Sequence, residues 1–323
     1  MRTLVIGGTQ FMGRTIVERL LARGHDVAVV HRRDHHDLAP EVRNLQADRA
    51  DLAAISDLLK RERADVVFDL AYDWEKGTPA SQVEVAARSC GDRLQRYVFM
   101  SSIAAYGPGL AHRESDPLAP EGVPNPYVDH KASAERALFR MHEASGFPVV
   151  TFRPPYVHGP RQPFDREQFF WDRLRDGRAI VLPDGGDAPT QWAYVEDVAE
   201  ACVRAIEVPD AVGQAFNVAH VEPMTQRTFV EALAGIAGIE PTFVSVSRRA
   251  IAAAGGQLVG DRLYFGEYLD IPPHSEVVEK APRVLGVHPT PFATALRAGF
   301  AWYLAQPRRT RDYTFEDRLI AQA

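Results

Sequence analysis

Two cysteines among 323 residues are too few for a disulfide framework. Cys90 and Cys202 each sit in apolar, helix-like sequence, which reads as two unpaired buried thiols in a reducing compartment. A run of about 18 apolar residues, long enough to cross a bilayer, is also missing. Residues 1–6 lead straight into a glycine turn without the basic, apolar and small-residue regions of a secretion signal. A cytoplasmic protein with no membrane partner is therefore expected. Nor is there an excess of positive charge. The 37 Lys and Arg stand against 43 Asp and Glu, a formal net charge of −6, which supplies no general attraction for a polyphosphate backbone and argues against nucleic acid as a partner. Internal repeats and low-complexity tracts are absent. With 46% hydrophobic residues, the chain can bury a sizeable core in one large domain or two closely packed ones.

Short apolar runs at 3–6, 27–30, 66–70, 97–100 and 149–152 alternate with helical periodicities at 11–22, 52–59, 79–90 and 127–145. That rhythm predicts an α/β fold with a doubly wound parallel sheet, covered by helices on both faces. It fades after about residue 155, where Pro-rich and Gly-rich loops take over and point to a smaller C-terminal lobe. The charged end, with Arg308, Arg309 and Arg311, suits either a mobile tail or a docked helix.

The first strand-to-helix turn reads Gly7-Gly8-Thr9-Gln10-Phe11-Met12-Gly13. Such a turn lets backbone approach a pyrophosphate and brings the helix close to its strand, so a dinucleotide site (a Rossmann arrangement) is expected here. Gln10 stands where a middle glycine is usual, so its side chain must either turn outward or hydrogen-bond the phosphates itself. At the end of the second strand, where an acidic residue would meet ribose hydroxyls, the chain has His31-Arg32-Arg33. Cationic groups there suit a 2′-phosphate and tilt the NAD(P) choice toward NADP. No metal site is expected. Asp34, His35, His36 and Asp37 read as a polar loop, and Asp184-Gly185-Gly186-Asp187 as a tight turn.

Tyr127 and Lys131 lie one helical turn apart on one face, where an ammonium favours the phenolate and draws the tyrosine toward general acid–base work. Ser102 follows a strand end, at the opening of the sheet's crevice, where a hydroxyl can bond a substrate oxygen. These three residues form the expected catalytic set.

With these motifs, the chain resembles the extended short-chain dehydrogenases, the NAD-dependent epimerase/dehydratase family, and in spacing it is nearest the UDP-galactose 4-epimerases. Ser102 precedes Tyr106 by four residues and Tyr127 by twenty-five. The resemblance implies adenine contact by Asp48 and cofactor-flanking positions for Leu70, Ala71, Tyr72, Pro154 and Val157, beside Gly7, Thr9, Gln10, Phe11, Met12, Gly13, His31, Arg32 and Arg33. It places Tyr156 and Gln191 against substrate. It also implies a dinucleotide-binding domain at 1–155 and 190–220, a substrate lobe at 156–189 and 221–305, and a tail at 306–323. In the implied mechanism Tyr127 removes a hydroxyl proton as hydride moves, Lys131 holds the ribose and lowers the tyrosine pKa, and Ser102 orients the oxygen.

Where dehydratases of this family carry an acidic pair, the chain has Ile103 and Ala104, so elimination of water is not expected. The resemblance puts epimerisation of a nucleotide-sugar-like small molecule through a keto intermediate first, with NADPH-dependent reduction of a keto substrate as the alternative. Thr190-Gln191-Trp192 and Gln10 also resemble a branch of chloroplast RNA-binding proteins, which keeps a non-catalytic binding protein as an alternative of another class. Tyr72-Asp73-Trp74 adds aromatics that either line a pocket or pack a loop. A homodimer is implied by the family alone.

Overall fold

The apolar runs become the centre of a parallel sheet because each strand is buried on both faces, which removes the need for polar alternation. The computed structural model describes residues 1–322. Its first half runs β1 (Arg2–Ile6), α1 (Phe11–Ala22), β2 (Asp26–His31), β3 (Arg43–Gln46), α2 (Leu52–Glu62), β4 (Val66–Asp69), α3 (Ala80–Ser89), β5 (Arg96–Met100), β6 (Gly109–His112) and α4 (Pro126–Ser145). The second half adds β7 (Val149–Phe152), β8 (Tyr156–His158), α5 (Glu167–Arg175), β9 (Ile180–Pro183), β10 (Pro189–Thr190), β11 (Trp192–Tyr194), α6 (Val195–Glu207) and β12 (Gln214–Phe216). It closes with β13 (Met224–Thr225), α7 (Gln226–Ala237), β14 (Phe243–Val246), α8 (Arg248–Ala253), β15 (His274–Glu276), α9 (Lys280–Leu285), α10 (Phe292–Leu304) and α11 (Thr314–Ile320).

Seven strands form the main sheet in the order β12-β7-β5-β4-β1-β2-β3, with every neighbouring pair parallel. The doubly wound architecture expected from the sequence is thus present. Alternate side chains of one strand feed two cores. Leu4 and Ile6 pack with Leu58, Val83 and Leu138 on one face, while Val5 joins Ile16, Leu20, Val198 and Cys202 on the other. Cys202 is fully buried, whereas Cys90 is only partly covered, contrary to the expectation for both thiols; neither is bridged.

β3 escaped the sequence reading because Arg43-Asn44-Leu45-Gln46 carries no apolar run; as an edge strand it needs cover on little of its surface. Around 190–220, only β12 joins the main sheet. β11 instead pairs with β8 in a separate parallel ribbon, and α6 lies over the same face as α1. The C-terminal lobe has its own aromatic-rich core, built on Phe169, Phe170, Trp171, Trp192 and Phe229. The tail is docked on that core. Phe315 and Leu319 of α11 are buried in it, and Arg311 reaches Asp165 and Asp172, each at 2.6 Å.

α4 is the longest helix among the described residues, and its ends are well specified. Asn125 accepts from the amides of Tyr127 and Val128, Pro126 fills the first turn, and Gly146 takes the left-handed conformation that ends it. Halfway along, Glu135 is fully buried and grips Arg153, at the end of β7, through Nε at 3.0 Å and Nη2 at 2.7 Å. Its carboxylate also accepts from Thr151 at 3.1 Å and from Ser101. Removing one member strands the other charge in the interior. Glu135→Ala should therefore lower the unfolding free energy by about 3–5 kcal/mol, read as a shift of the urea midpoint with the slope unchanged.

Candidate functional site

The sheet reverses its winding between β1 and β4, and the crevice at their carboxyl ends is where such folds take ligands. A cleft of about 630 Å³ opens there, within the range of small-molecule sites. Its floor begins with the turn after β1. Gly7 has φ +90°, and a Cβ on Gly13 would stand 2.1 Å from the Gly7 carbonyl oxygen, so helix and turn touch in a way no side chain permits. A Cβ on Gly8 would fall 2.7 Å from Val29. Gln10 occupies the N-cap of α1 in extended conformation, yet its side chain makes no capping bond. The first amides of α1 thus face the cleft with the helix dipole behind them, a ready anion cradle. Thr9, Phe11 and Met12 complete this wall.

Along the adenosine-side wall lie His31, Arg32 and Asp48. His31 is held by Asn44 at 2.5 Å, and burial pushes its imidazole below its ordinary value, toward the neutral form. Arg32 is exposed and reaches toward Asp73 at 3.7 Å. Arg33 is outside the cleft lining, so the basic triplet divides into one cleft residue of each kind and one solvated arginine. The neighbouring polar loop is internally spent: His35 meets Asp34 at 2.6 Å and His36 meets the Val42 carbonyl at 3.1 Å.

Ser102, Tyr127 and Lys131 come together on the opposite wall, with Leu70, Ala71, Tyr72, Pro154 and Val157 between them and the glycine turn. Ser102 follows β5 and starts the short turn of Ile103–Tyr106, accepting from the Ala104 amide at 3.2 Å. Lys131 is buried and donates from Nζ to the Met100 carbonyl at 2.7 Å. Burial lowers its pKa to about 8, opposed by the Asp69 carboxylate, with Arg49 and Glu135 acting in opposite senses behind it. The expected phenolate-favouring effect is not what the site shows. Desolvation raises the Tyr127 pKa above its ordinary value, and the opposing pull comes from the Ser102 hydroxyl and the Arg166 guanidinium. Lys131 sits 5.7 Å from the centre of the Tyr127 ring, directed at a backbone carbonyl.

At the far end the cleft turns aromatic. Trp74 stacks on Tyr127 with centroids 5.1 Å apart, Tyr72 meets Tyr127 edge-on at 4.9 Å, and Phe164 meets Trp74 at 5.1 Å. Two residues expected against substrate are elsewhere. Gln191 is buried and brackets β15, donating to the Glu276 carbonyl at 3.1 Å and accepting from the Glu276 amide at 2.6 Å. The Tyr156 hydroxyl donates to the Tyr268 carbonyl at 2.8 Å, and its ring packs on Trp192. Both belong to the packing of the smaller lobe and not to the cleft wall.

Three groups were missed from sequence. Arg49 forks onto Asp69, which also accepts from the Tyr97 hydroxyl at 2.6 Å, forming a buried network at the end of β4. Glu135 and Arg153 support the Ser101–Ser102 corner from below. Arg166 lines the aromatic end. Asp69 and Glu135 gave no signal because an isolated carboxylate in a strand or helix pattern reads the same whether paired or solvated. Arg153 gave none either, because its partner Glu135 lies 18 residues away in sequence.

A family model described as "NAD dependent epimerase/dehydratase family" matches residues 3–219. Among curated proteins, a chloroplast stem-loop binding protein of 41 kDa from Arabidopsis thaliana is 27% identical over 260 residues, 75% of this chain but 65% of that longer protein. A UDP-glucose 4-epimerase from Mycolicibacterium smegmatis is 30% identical over 271 residues, covering 75% of this chain and 85% of the relative. Among solved structures, a Thermus thermophilus UDP-glucose 4-epimerase in complex with NAD shares the fold with a TM-score of 0.73 at 23% identity, over 94% of this chain and 99% of that one.

The ionisation of Lys131 is directly testable. Its folded pKa of about 8 lies below the ordinary lysine value of 10.5. The native state therefore binds fewer protons than the unfolded state between those values, and stability rises with pH there. Wild type should gain about 2 kcal/mol on Lys131→Met between pH 7.5 and 9.5, measured as the difference in urea unfolding free energies. A difference independent of pH would show an unperturbed lysine.

Proposed function

The chain belongs to the NAD-dependent epimerase/dehydratase family, and on that premise we propose that it moves a hydride between a nicotinamide dinucleotide and one carbinol or carbonyl carbon of a small substrate. The observation that carries this reading is the convergence of Ser102, Tyr127 and Lys131 on the cleft that also holds the glycine turn.

The cleft fits the dinucleotide. The Gly7–Gly13 contact leaves a cradle that a Cβ would fill, beside uncapped amides of α1. Thr9, Gln10, Phe11 and Met12 would hold the pyrophosphate with them, Asp48, His31 and Arg32 the adenosine end, and Leu70, Ala71, Tyr72, Pro154 and Val157 the remainder. The bound dinucleotide supplies a hydride acceptor or donor. Lys131 holds ribose hydroxyls through its ammonium, Ser102 orients the substrate oxygen, and Tyr127 passes the proton at its phenol oxygen. A neutral Tyr127, as burial dictates, is the form needed to donate that proton to a carbonyl oxygen.

Net oxidoreduction is favoured over epimerisation by the aromatic end of the cleft. An epimerase must let a keto intermediate turn its other face, whereas Trp74, Tyr72 and Phe164 crowd the space beside Tyr127. The 30% identical epimerase supports the second reading. Dehydration has no acid or base in its favour, since Ile103 is buried and Ala104 is inert. The RNA-binding alternative, prompted by the stem-loop binding relative, is opposed by the net charge of −6 and leaves the Ser, Tyr and Lys set without a purpose.

Tyr127→Phe should keep dinucleotide affinity and lose turnover by roughly 10²-fold or more. With a carbonyl substrate and deuterated reduced dinucleotide, label should enter the product in proportion to dinucleotide oxidised. Inversion of configuration with no net oxidation of dinucleotide would establish the epimerase instead.

The cofactor preference gives a further test. Arg32 lines the cleft and Arg33 does not, so Arg32→Ala alone should weaken NADP(H) binding about tenfold while changing NAD(H) little, because charge-assisted bonds to phosphate are the stronger kind. Equal losses for both dinucleotides, followed by fluorescence titration, would remove the 2′-phosphate assignment.

A further inference from the structure

Arg166 is a buried arginine of the cleft that makes no ion pair among the described residues. It is 8% exposed, and its guanidinium is pressed between the rings of Phe164 at 4.6 Å and Tyr156 at 5.1 Å. Only Nε is used, donating to the Glu267 carbonyl at 3.2 Å. Among the described residues no carboxylate lies within ion-pair distance of it, and its two terminal nitrogens have no protein partner. The nearby acids do not pair with it. Asp165 is taken by Arg311 at 2.6 Å and Arg309 at 3.3 Å of the docked tail. Glu167 accepts from the Gly159 amide at 3.0 Å through one oxygen, while its other oxygen is buried without a partner among the described residues and burial raises its pKa to about 7, toward the neutral form. Glu267 offers Arg166 only its backbone. A buried cation without a counter-charge is costly, and here it belongs to a residue that lines the cleft.

The surface beside it is aromatic. Trp74 is 51% exposed, an uncommon position for an indole. It bridges Tyr127 on one side to Phe164 on the other, with Tyr268 stacked at 6.0 Å. An anion receptor and an aromatic platform therefore adjoin the proton-transfer tyrosine.

We propose that Arg166 binds a carboxylate of the substrate, and that the substrate is a small carbonyl or carbinol acid whose planar apolar portion lies against Trp74. This rests on the reading of the cleft as a hydride-transfer site. A diphosphate, as in a nucleotide sugar, is the other oxyanion that a guanidinium would take. The carboxylate is favoured because the apolar platform adjoins Arg166 directly, whereas a nucleotide sugar would place hydroxyl-rich sugar there.

The test is calorimetric binding to the full chain, with benzoylformate as probe, its neutral methyl ester as control and UDP as the diphosphate arm. Benzoylformate should bind wild type and lose about tenfold or more in affinity with Arg166→Gln, the scale of a charge-assisted bond. Arg166→Lys should recover part of that loss, which a mere folding defect would not allow. Trp74→Ala, on the exposed loop, should weaken benzoylformate and the ester alike, while the ester should ignore Arg166→Gln. Failure of wild type to bind benzoylformate, equal affinities in wild type and Arg166→Gln, or an Arg166-dependent loss confined to UDP would each overturn the proposal. A parallel titration with NADH and NADPH separates the two readings. Arg166-dependent benzoylformate binding without dinucleotide binding would refute the hydride-transfer function alone, whereas dinucleotide binding with Arg166-indifferent benzoylformate refutes only this inference.

Discussion

The buried pair of Glu135 and Arg153 is the constraint on which the site's geometry depends. One partner sits in the middle of α4 and the other at the end of β7, so their contact fixes the helix against the carboxyl edge of the sheet. Tyr127 and Lys131 ride on the same helix, two and one turns before Glu135. Ser101, which donates to Glu135, immediately precedes Ser102. Arg153 continues the network to the Tyr106 hydroxyl at 2.7 Å, which in turn donates to Asn217 beyond β12 at 2.8 Å. Four chain segments that carry or adjoin the site are thereby tied to one desolvated charge pair. Such a pair adds little net stability relative to apolar packing, but a broken one is expensive, and this asymmetry selects a single arrangement.

A second buried network lies beneath the neighbouring strand. Asp69 ends β4, accepts from Tyr97 and is clasped by Arg49, itself a residue of the cleft lining. The glycine turn rests against the chain just beyond, since a Cβ at Gly7 would meet the Ala71 amide nitrogen at 3.0 Å. The phosphate cradle and the charged floor are therefore in mechanical contact. Displacing Asp69 would disturb both the turn after β4 and the electrostatics at Lys131.

What the sequence made legible follows from which interactions are local. The strand and helix alternation, the Gly7–Gly13 turn and the Tyr127–Lys131 spacing are all encoded within a few residues, and the structure brings these features to one cleft. The edge strand β3 was invisible because its pairing with β2 leaves no apolar signature. Gln191 and Tyr156 were placed against substrate by position in a motif, yet their actual partners, Glu276 and Tyr268, come from segments some 85 and 112 residues later. Arg33 was grouped with Arg32 by adjacency, although successive residues beyond a strand end face different ways. Arg166 had no sequence signal at all, because its isolation depends on the tail arginines claiming Asp165 from more than 140 residues away.

The same long-range charges decide how the catalytic helix is poised. Asp69 and Glu135 favour the charged form of Lys131, Arg49 and burial oppose it, and the balance leaves the ammonium weaker than an ordinary lysine. Tyr127 moves the other way, held neutral by its aromatic surroundings while Ser102 and Arg166 pull toward the phenolate. Burial thus drives the two groups apart, a lysine that has become more acidic and a phenol that has become less so, the reverse of the simple picture in which the lysine alone activates the tyrosine. An anion set on Arg166 would cancel one of the two influences that favour phenolate and would strengthen the neutral, proton-donating phenol. A carboxylate-bearing substrate would then select the protonation state of Tyr127 that reduction of its own carbonyl requires, so recognition and proton supply would share a single charge.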